Sequence, residues 1–428
     1  MKKVSIGKLS NGMKVYIQYD FSASSCLWGI GIKAGSLYDP QSLLGMAHLT
    51  EHVMCAESKN LSNYAADLLF EKFTGGPEGN IMISTDKTCT FFGPLNSLYY
   101  ERHMKSLFEM LSQIIKDRVI TEDRLAAEKA AINNEHYLRG VDIAETIPSE
   151  LIHQALYETN LARNGIDGNM EHVRSATLKE VRQFVKQYYT PQNMFLIFLG
   201  PNFQKAMEIA KQNFGDWDPP KIQTFPPINI KSYDIFPVLN SIKSLELAKT
   251  GTSQYHVMVG FPTETYLSHD ATALDIIAQL IAFRMKRRLR DANLDFNKGT
   301  YRALGFTERT FLHGIIYFGF ATLDAEFAKY GENIILEECR KLKTELADPK
   351  ELDACIFNSY YQFLDAFKNC PADLADMILR AATNGDTELE KMHLIGQNTK
   401  NITRSKIREV ANKYFTDNYA RAILKPVL

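Results

Sequence analysis

The sequence predicts an α+β protein made of two related halves of about 200 residues each. The first observation is an internal repeat, because residues 177–190 align without a gap on residues 403–416 and keep apolar side chains at the same helical positions. The second is that a strand pattern follows each copy, at Met194–Leu199 and at Tyr419–Leu424. The third is a proline-rich stretch, 217–237, whose composition suits a linker between domains.

The length and composition agree with two domains, which we predict at 1–216 and 238–428 with the linker 217–237 between them. A chain of 428 residues exceeds one ordinary hydrophobic core, and its hydrophobic content of 45% is that of a globular protein. The formal net charge of −1 argues against a nucleic-acid partner. Six cysteines without a Cys-x-x-Cys pair do not predict a disulfide scaffold. We expect no membrane span and a cytoplasmic location.

Turn residues and alternation predict the first elements of the N-terminal half. The pair Asn11-Gly12 between two alternating stretches predicts a β-hairpin. Residues Cys26–Ala34 have the pattern of a strand, with glycines where another backbone approaches. A loop over Gly35–Pro40 follows, and apolar residues at helical spacing then predict a helix over Gly45–Met54.

The pattern His48-x-x-Glu51-His52 lies within that helix. The two histidines are one turn apart, so both imidazoles point to the same side and can bind one Zn²⁺. Glu51 reaches the same side and can act on a water without being a ligand, and this residue order is the inverzincin signature. Because the flanking residues are apolar, a metal would also supply partners for polar groups on a buried helix.

A later helix offers two carboxylates for the same ion. Glu128 and Glu135 are almost two full turns apart and therefore share one helix face. Catalytic zinc usually has three protein ligands, so two histidines leave one ligand to be supplied. From the residues alone, either glutamate completes the set.

Four segments resemble one known family, at Lys33–Ser36, Gly45–Met54, Gly75–Asn80 and Glu128–Glu135. The sequence is similar there to the insulinase/pitrilysin family of zinc metallopeptidases, and the resemblance extends over nearly the whole chain. It implies that each half is an α/β sandwich with a mixed, mostly antiparallel sheet flanked by helices. It further implies that the two halves arose by internal duplication and form half of a clamshell.

The resemblance also implies roles for individual residues. In the family a second glutamate stands one heptad before the metal ligand, and Glu128 fills that place for Glu135. The implied zinc ligands are therefore His48, His52 and Glu135. Glu51 and Glu128 are the implied catalytic residues, with Glu51 as the base and Glu128 orienting the ligands.

Substrate contacts are implied in both halves. Residues 81–92 alternate like a strand, and the family places such an edge strand beside the metal, where an extended peptide adds as another strand. Asn80 directly precedes it. In the second half the resemblance implies that Arg290 contacts substrate. Phe296 stands where the family usually has tyrosine, and we take Tyr301 as the candidate to replace that tyrosine as a substrate-binding residue.

The function implied is a zinc-dependent endopeptidase with one Zn²⁺ per chain, which cleaves small unfolded peptides or leader and precursor peptides in an enclosed cavity. Two halves are present where the family cavity has four, so we expect a homodimer or a heterodimer with a related metal-free chain. The alternative is a non-catalytic or partner-dependent subunit of such a heterodimeric peptidase. The other histidines, His153 and His313 among them, show no ligand spacing in the sequence.

Overall fold

The structure is a computed structural model that describes residues 3–19, 27–54, 58, 62, 81–94, 101–142, 147–157, 165–200, 205–218, 237–296 and 300–427. Within these ranges the side chains of 81–85, 92–94, 101–107, 110, 138–142, 293–296 and 300–302 are not described. The described residues cluster into two compact units. The first unit comprises 1–134, 165–228 and 364–393, and the second comprises 135–164, 229–363 and 394–428.

The first unit contains a six-stranded sheet in the order β1-β2-β6-β3-β5-β4. Its strands are β1 (Ser5–Lys8), β2 (Lys14–Tyr19), β3 (Leu27–Ile32), β4 (Ile81–Thr85), β5 (Thr90–Pro94) and β6 (Met194–Gly200). The helices of the N-terminal half are α1 (Met46–Met54), α2 (Glu101–Lys116), α3 (Glu122–Asp142), α4 (Ile147–Leu156), α5 (Met170–Ser175), α6 (Leu178–Tyr188) and α7 (Ala206–Phe214). The predicted hairpin forms β1 and β2, and Gly12 in its turn has a φ of +96° that favours glycine.

The second unit contains a five-stranded sheet in the order β7-β11-β8-β10-β9. Its strands are β7 (Lys243–Lys249), β8 (Tyr255–Thr263), β9 (Thr300–Arg309), β10 (Gly314–Thr322) and β11 (Ala420–Pro426). The helices of the C-terminal half are α8 (Ala271–Phe296), α9 (Ala325–Thr344), α10 (Pro349–Lys368), α11 (Pro371–Thr383), α12 (Glu390–Lys400) and α13 (Arg404–Tyr414).

The two sheets share one topology. The strands β2 to β6 correspond in chain order to β7 to β11, and they occupy the same positions in their sheets. In each sheet one neighbouring pair is parallel, β2 with β6 and β7 with β11, whereas the remaining described pairs are antiparallel. The predicted fold class, two duplicated halves with mixed and mostly antiparallel sheets, is confirmed.

The repeat found in the sequence corresponds to α6 and α13. The side chains of Thr177 and Thr403 cap these helices by accepting a hydrogen bond from the backbone N–H three residues later. The aligned Val181 and Ile407 are both fully buried, because each faces the core of its own unit. The same capping residue and the same apolar spacing therefore specify both α6 and α13.

Two segments belong to a different unit from the one that the predicted contiguous halves would give them. Residues 135–164 cluster with the second unit and residues 364–393 with the first, so equivalent segments of equal length are exchanged. The bounds 1–216 and 238–428 stay a prediction, and residues 219–236 of the predicted linker lie outside the described residues. Among the described helices, none is long and apolar enough to cross a membrane.

Candidate metal centre

The start of α1 is fixed by a buried carboxylate. The backbone N–H groups of Gly45 and Ala47 donate to Asp39 Oδ2 and Oδ1 at 2.6 and 2.7 Å. Burial raises the pKa of Asp39 to about 8, although these backbone hydrogen bonds act in the opposite direction. Gly45 has a φ of +96°, and a Cβ there would lie 2.6 Å from the carbonyl oxygen of Asp167. The helix therefore begins in a tightly packed place that sets the direction of its side chains.

Two imidazoles on α1 meet as the sequence predicts. His48 Nε2 and His52 Nε2 are 3.2 Å apart. Two ligand atoms of a tetrahedral zinc, each bonded at about 2.0–2.1 Å, lie about 3.3 Å apart. The His48 side chain is buried and His52 is partly exposed, so one edge of the pair is accessible.

The long helix α3 brings the third ligand atom. One ligand atom from each of His48, His52 and Glu135 lies within 4.8 Å of the others. Two imidazole nitrogens and one carboxylate oxygen are a donor set that zinc accepts, and it leaves a fourth position open. These residues fit the predicted ion. Of the two glutamates that the sequence offered as third ligand, Glu135 belongs to this group, whereas Glu128 does not.

Glu128 contacts the back of one imidazole. Its Oε2 is 3.0 Å from His52 Nδ1, and its Oε1 is 2.9 Å from Arg124 Nη2. A carboxylate in this position orients the ring and fixes the tautomer that presents Nε2 to an ion. The arrangement suits the orienting role that the resemblance implies for Glu128.

Asp167 occupies the equivalent place behind the other imidazole, and no sequence motif predicted it. Its Oδ1 is 3.4 Å from His48 Nδ1. The loop that carries it is held against the start of α1, since the Leu44 N–H donates to His172 Nδ1 at 3.2 Å and the Asn169 N–H donates to the Leu44 carbonyl at 3.2 Å. Both histidines therefore have a carboxylate behind them.

Glu51 lies on the same turn of α1 as the histidines. Its exposed fraction is only 7%, whereas a glutamate on an ordinary protein surface is mostly exposed. The strand β4 is one of the two outer strands of the described sheet and contacts α1, so an edge with backbone hydrogen-bonding groups lies beside this helix. The single strand predicted over 81–92 is wrong, because the chain turns at 86–89 and pairs β4 with β5 as a hairpin. Only β4 is the edge strand beside the helix that carries the motif.

The predicted substrate-binding residues are less well defined. Asn80 lies outside the described residues, and the side chains of Tyr301 and Phe296 are not described. Arg290 has a side chain that is 69% exposed and contacts Asp291, with Nη2 3.3 Å from Oδ1. Its exposure and local partner agree with an ordinary charged helix surface, and a substrate contact stays a prediction.

Sequence profiles of one family match both halves. Residues 14–168 match the insulinase family, peptidase family M16, and residues 175–358 match its model named peptidase M16 inactive domain. The chain belongs to the insulinase family. The predicted assignment to a metallopeptidase family is confirmed. The profile of the second half agrees with the absence of a His-x-x-Glu-His pattern from that part of the sequence.

Individual relatives of this insulinase-family chain are distant in sequence. The zinc protease PqqE of Helicobacter pylori is 22% identical over 406 residues, which are 92% of this chain and 86% of the relative. The mitochondrial-processing peptidase subunit beta of Mus musculus is 24% identical over 209 residues, which are 49% of this chain and 41% of that subunit. A crystal structure of a protease from Helicobacter pylori has a TM-score of 0.87 at 20% identity, with both chains fully covered. This last similarity supports the fold of each described half.

Proposed function

We propose that the chain is a zinc endopeptidase in which His48, His52 and Glu135 hold one zinc ion. The observation that carries the proposal is the convergence of two imidazoles and a carboxylate from separate helices, each imidazole with a carboxylate behind it. When bound, zinc supplies Lewis acidity, which lowers the pKa of a water toward about 7 and polarises a carbonyl.

The protein's own residues carry the proton. In this proposal Glu51 accepts a proton from the attacking water and returns it to the amine that leaves, so one carboxylate serves first as base and then as acid. Glu128 hydrogen-bonds to Nδ1 of His52, and Asp167 lies 3.4 Å from Nδ1 of His48. Both carboxylates favour the tautomer in which Nε2 would be free to bind the ion. Arg124 holds Glu128 in place through the contact at 2.9 Å.

The proposed substrate is an extended, unfolded peptide, including leader or precursor peptides. The support is that β4 ends its sheet in the described structure and contacts α1, so a peptide could add to the sheet with its scissile bond beside the motif. Recognition of the main chain in this way needs little from the substrate's side chains. Asn80, Arg290 and Tyr301 remain our candidates for additional substrate contacts.

We further propose that two chains pair, as a homodimer or with a related metal-free chain. The Mus musculus relative is by its name a subunit, and this chain matches 41% of its length. Light scattering of the purified chain, with activity measured across the same concentrations, tests this. A fully active monomer overturns the pairing proposal without affecting the zinc chemistry. A cytoplasmic location is likewise proposed and is tested by cell fractionation.

The experiment that tests the reaction is Glu51→Gln, measured by zinc content and by cleavage of a quenched peptide. We expect the variant to keep its zinc and to lose activity by about 10²- to 10⁴-fold, because only the proton acceptor is removed. Glu122→Gln, at the exposed start of α3, is the matched control and should behave as wild type. Unchanged cleavage by Glu51→Gln would show that this mechanism is wrong.

A non-catalytic or partner-dependent subunit is the alternative function. The same peptide assay, run on the chain alone and with a related metal-free chain, separates the two possibilities. Activity of the chain alone, or of its homodimer, supports the enzyme. Activity that requires the added chain supports the partner-dependent form.

A further inference from the structure

A second group of metal-ligand side chains lies in the second unit, apart from the residues used above. His153 is on α4, Glu308 is near the end of β9, and His313 lies in the turn that joins β9 to β10. One ligand atom from each of the three lies within 4.8 Å of the others. Three separate segments of the chain therefore contribute to one small cluster.

The contacts at His153 have the spacing of atoms that share an ion. His153 Nε2 is 3.2 Å from Glu308 Oε1, close to the separation of about 3.3 Å expected between two ligands of a tetrahedral zinc. The hydroxyl of Tyr317 is 2.7 Å from the same Nε2 and donates to Glu308 Oε2 at 3.4 Å. A tyrosine oxygen thus stands beside two candidate ligands.

The cluster is buried, although its members are polar. His153 is 3% exposed and His313 is 1% exposed, and they lie next to the apolar cluster that includes Ile152 and Ile315. The ring of Tyr157 stacks on His313 with centroids 5.0 Å apart. Polar groups placed in an apolar core are costly unless they are satisfied, and a cation bound between them would satisfy several at once.

The turn that carries His313 is rigid. The Thr310 N–H donates to the His313 carbonyl at 2.8 Å, and Thr310 Oγ1 accepts the His313 N–H at 3.1 Å. Glu308 precedes this turn on β9, where strand pairing with β10 fixes its backbone. The backbone positions of two candidate ligands are therefore set before any ion binds, which lowers the entropy lost on binding.

The equivalent turn of the first unit shows that the fold does not require such a cluster. There the Asp86 N–H donates to the Cys89 carbonyl at 2.8 Å, so Cys89 takes the place of His313. The helix equivalent to α4 is α11, and its Thr383 hydroxyl lies 2.9 Å from the Thr88 hydroxyl. Among the described residues of the first unit, this place holds no group of three metal-ligand side chains.

We propose that His153, Glu308 and His313 form a second metal site for a divalent transition ion such as Zn²⁺. Two imidazole nitrogens and one carboxylate oxygen suit a transition ion, whereas Mg²⁺ and Ca²⁺ prefer oxygen ligands. The site would tie α4 to the β9–β10 hairpin, and the Tyr317 hydroxyl would hydrogen-bond to a ligand. The ion has a structural role and takes no part in peptide cleavage.

The test counts zinc bound by the full chain after equilibrium dialysis, in variants in which the first site is disabled. We expect two equivalents in wild type, one in His52→Ala, and none in His52→Ala combined with Glu308→Gln. Glu308 is suited to substitution because its side chain is 29% exposed and glutamine keeps its size, so folding is preserved and is checked by circular dichroism. Glu326→Gln, at an exposed position of α9, is the matched control and should leave the count unchanged.

Two outcomes overturn the proposal. The first is that His52→Ala binds no zinc, which would show that the cluster is held by hydrogen bonds among His153, Tyr317 and Glu308 alone. The second is that Glu308→Gln leaves the remaining equivalent unchanged, which would show that the zinc sits elsewhere. Because the count is made without the first site and without a peptide substrate, it is independent of whether the chain is an active peptidase.

Discussion

Each half has a helix after the second strand of the shared five-strand motif, and this helix contacts a later helix. The polar side chains between the two helices differ from one half to the other. In the first half α1 and α3 bring together His48, His52, Glu128 and Glu135. In the second half the topologically equivalent α8 and α10 bring together Arg284 and Glu351, whose Nε and Oε2 are 2.7 Å apart. One pair gathers ligands for an ion, whereas the other supplies its own cation.

The partners of each helix pair explain this difference. In the second half Gln279 donates to the Ser359 hydroxyl at 2.6 Å and accepts from the Asn358 amide at 3.1 Å, so the polar groups are satisfied within the protein. In the first half the two imidazole Nε2 atoms lie 3.2 Å apart, and a carboxylate lies behind each ring on its Nδ1 side. The same pair of helices therefore carries candidate metal ligands in one half and an ion pair in the other.

The largest expected effect comes from removing a ligand in the first pair. His52→Ala should lose one equivalent of zinc and reduce peptide cleavage by on the order of 10³-fold or more, because two remaining ligands hold zinc weakly. Metal analysis and the peptide assay measure both. Gln279→Ala, on the equivalent helix of the second half, should leave the zinc content unchanged. Full zinc content in His52→Ala would mean that α1 does not carry the metal.

The next effect is on stability and belongs to the second pair. Arg284→Met should destabilise the protein by about 2–3 kcal/mol, because it leaves the largely buried Glu351 without its close partner, while Arg288 still pairs with Glu338. Urea unfolding measures the change, and zinc content should stay as in wild type. Arg287→Met is the control, since that side chain is 57% exposed and 3.8 Å from Glu351. Equal destabilisation by both variants would contradict the idea that Arg284 supplies the cation.

The parts of this comparison that follow local rules were predictable from the sequence. Helix spacing placed His48 and His52 one turn apart, and the glycine turn at Gly12 and the threonine caps Thr177 and Thr403 specify their own elements. These signals act over a few residues, so they survive without knowledge of the rest of the fold. The duplication was visible because the same local rules occur twice.

The parts that depend on distant segments were not predictable. Asp167 reaches His48 only because its loop packs on the start of α1, and a single aspartate in a loop has no signature. His153 and His313 are far apart in the chain and meet only after α4 packs on the second sheet. The exchange of 135–164 and 364–393 between the units likewise depends on tertiary packing and not on local sequence.

A smaller effect concerns the carboxylates behind the imidazoles. Glu128→Gln should weaken zinc binding by about 10- to 100-fold, since glutamine cannot hold the ring N–H of His52 with a charge. Competition with a chelator measures the affinity. Asp167→Asn should weaken binding less, because its contact with His48 is longer, 3.4 Å against 3.0 Å. A larger loss in Asp167→Asn than in Glu128→Gln would reverse the ranking and assign the main orienting role to Asp167.

The smallest effect concerns the carboxylates at the starts of α1 and α8, whose pKa values move in opposite directions. Burial raises the pKa of Asp39 to about 8. Burial alone would also raise the pKa of Asp270, but Lys413, Lys406 and Tyr414 donate to it at 2.8–3.0 Å and together lower it to about 2. Because the folded-state pKa of Asp270 lies below its unfolded value of 3.8, its ionised form stabilises the protein above about pH 4, and this stability is lost as the pH falls toward 2.

The shift in the pKa of Asp270 corresponds to roughly 2 kcal/mol at most, and solvent around the two lysines reduces it to about 1 kcal/mol. Asp270→Asn should therefore lower the free energy of unfolding by about 1 kcal/mol at pH 7. The difference from wild type should shrink steadily between pH 5 and about pH 2, since wild-type Asp270 also loses its charge there. Urea unfolding across this range measures it, with the exposed Asp417→Asn as control. A difference that stays constant with pH would show that Asp270 acts through hydrogen bonding alone, and the contrast with Asp39 would then not be one of charge.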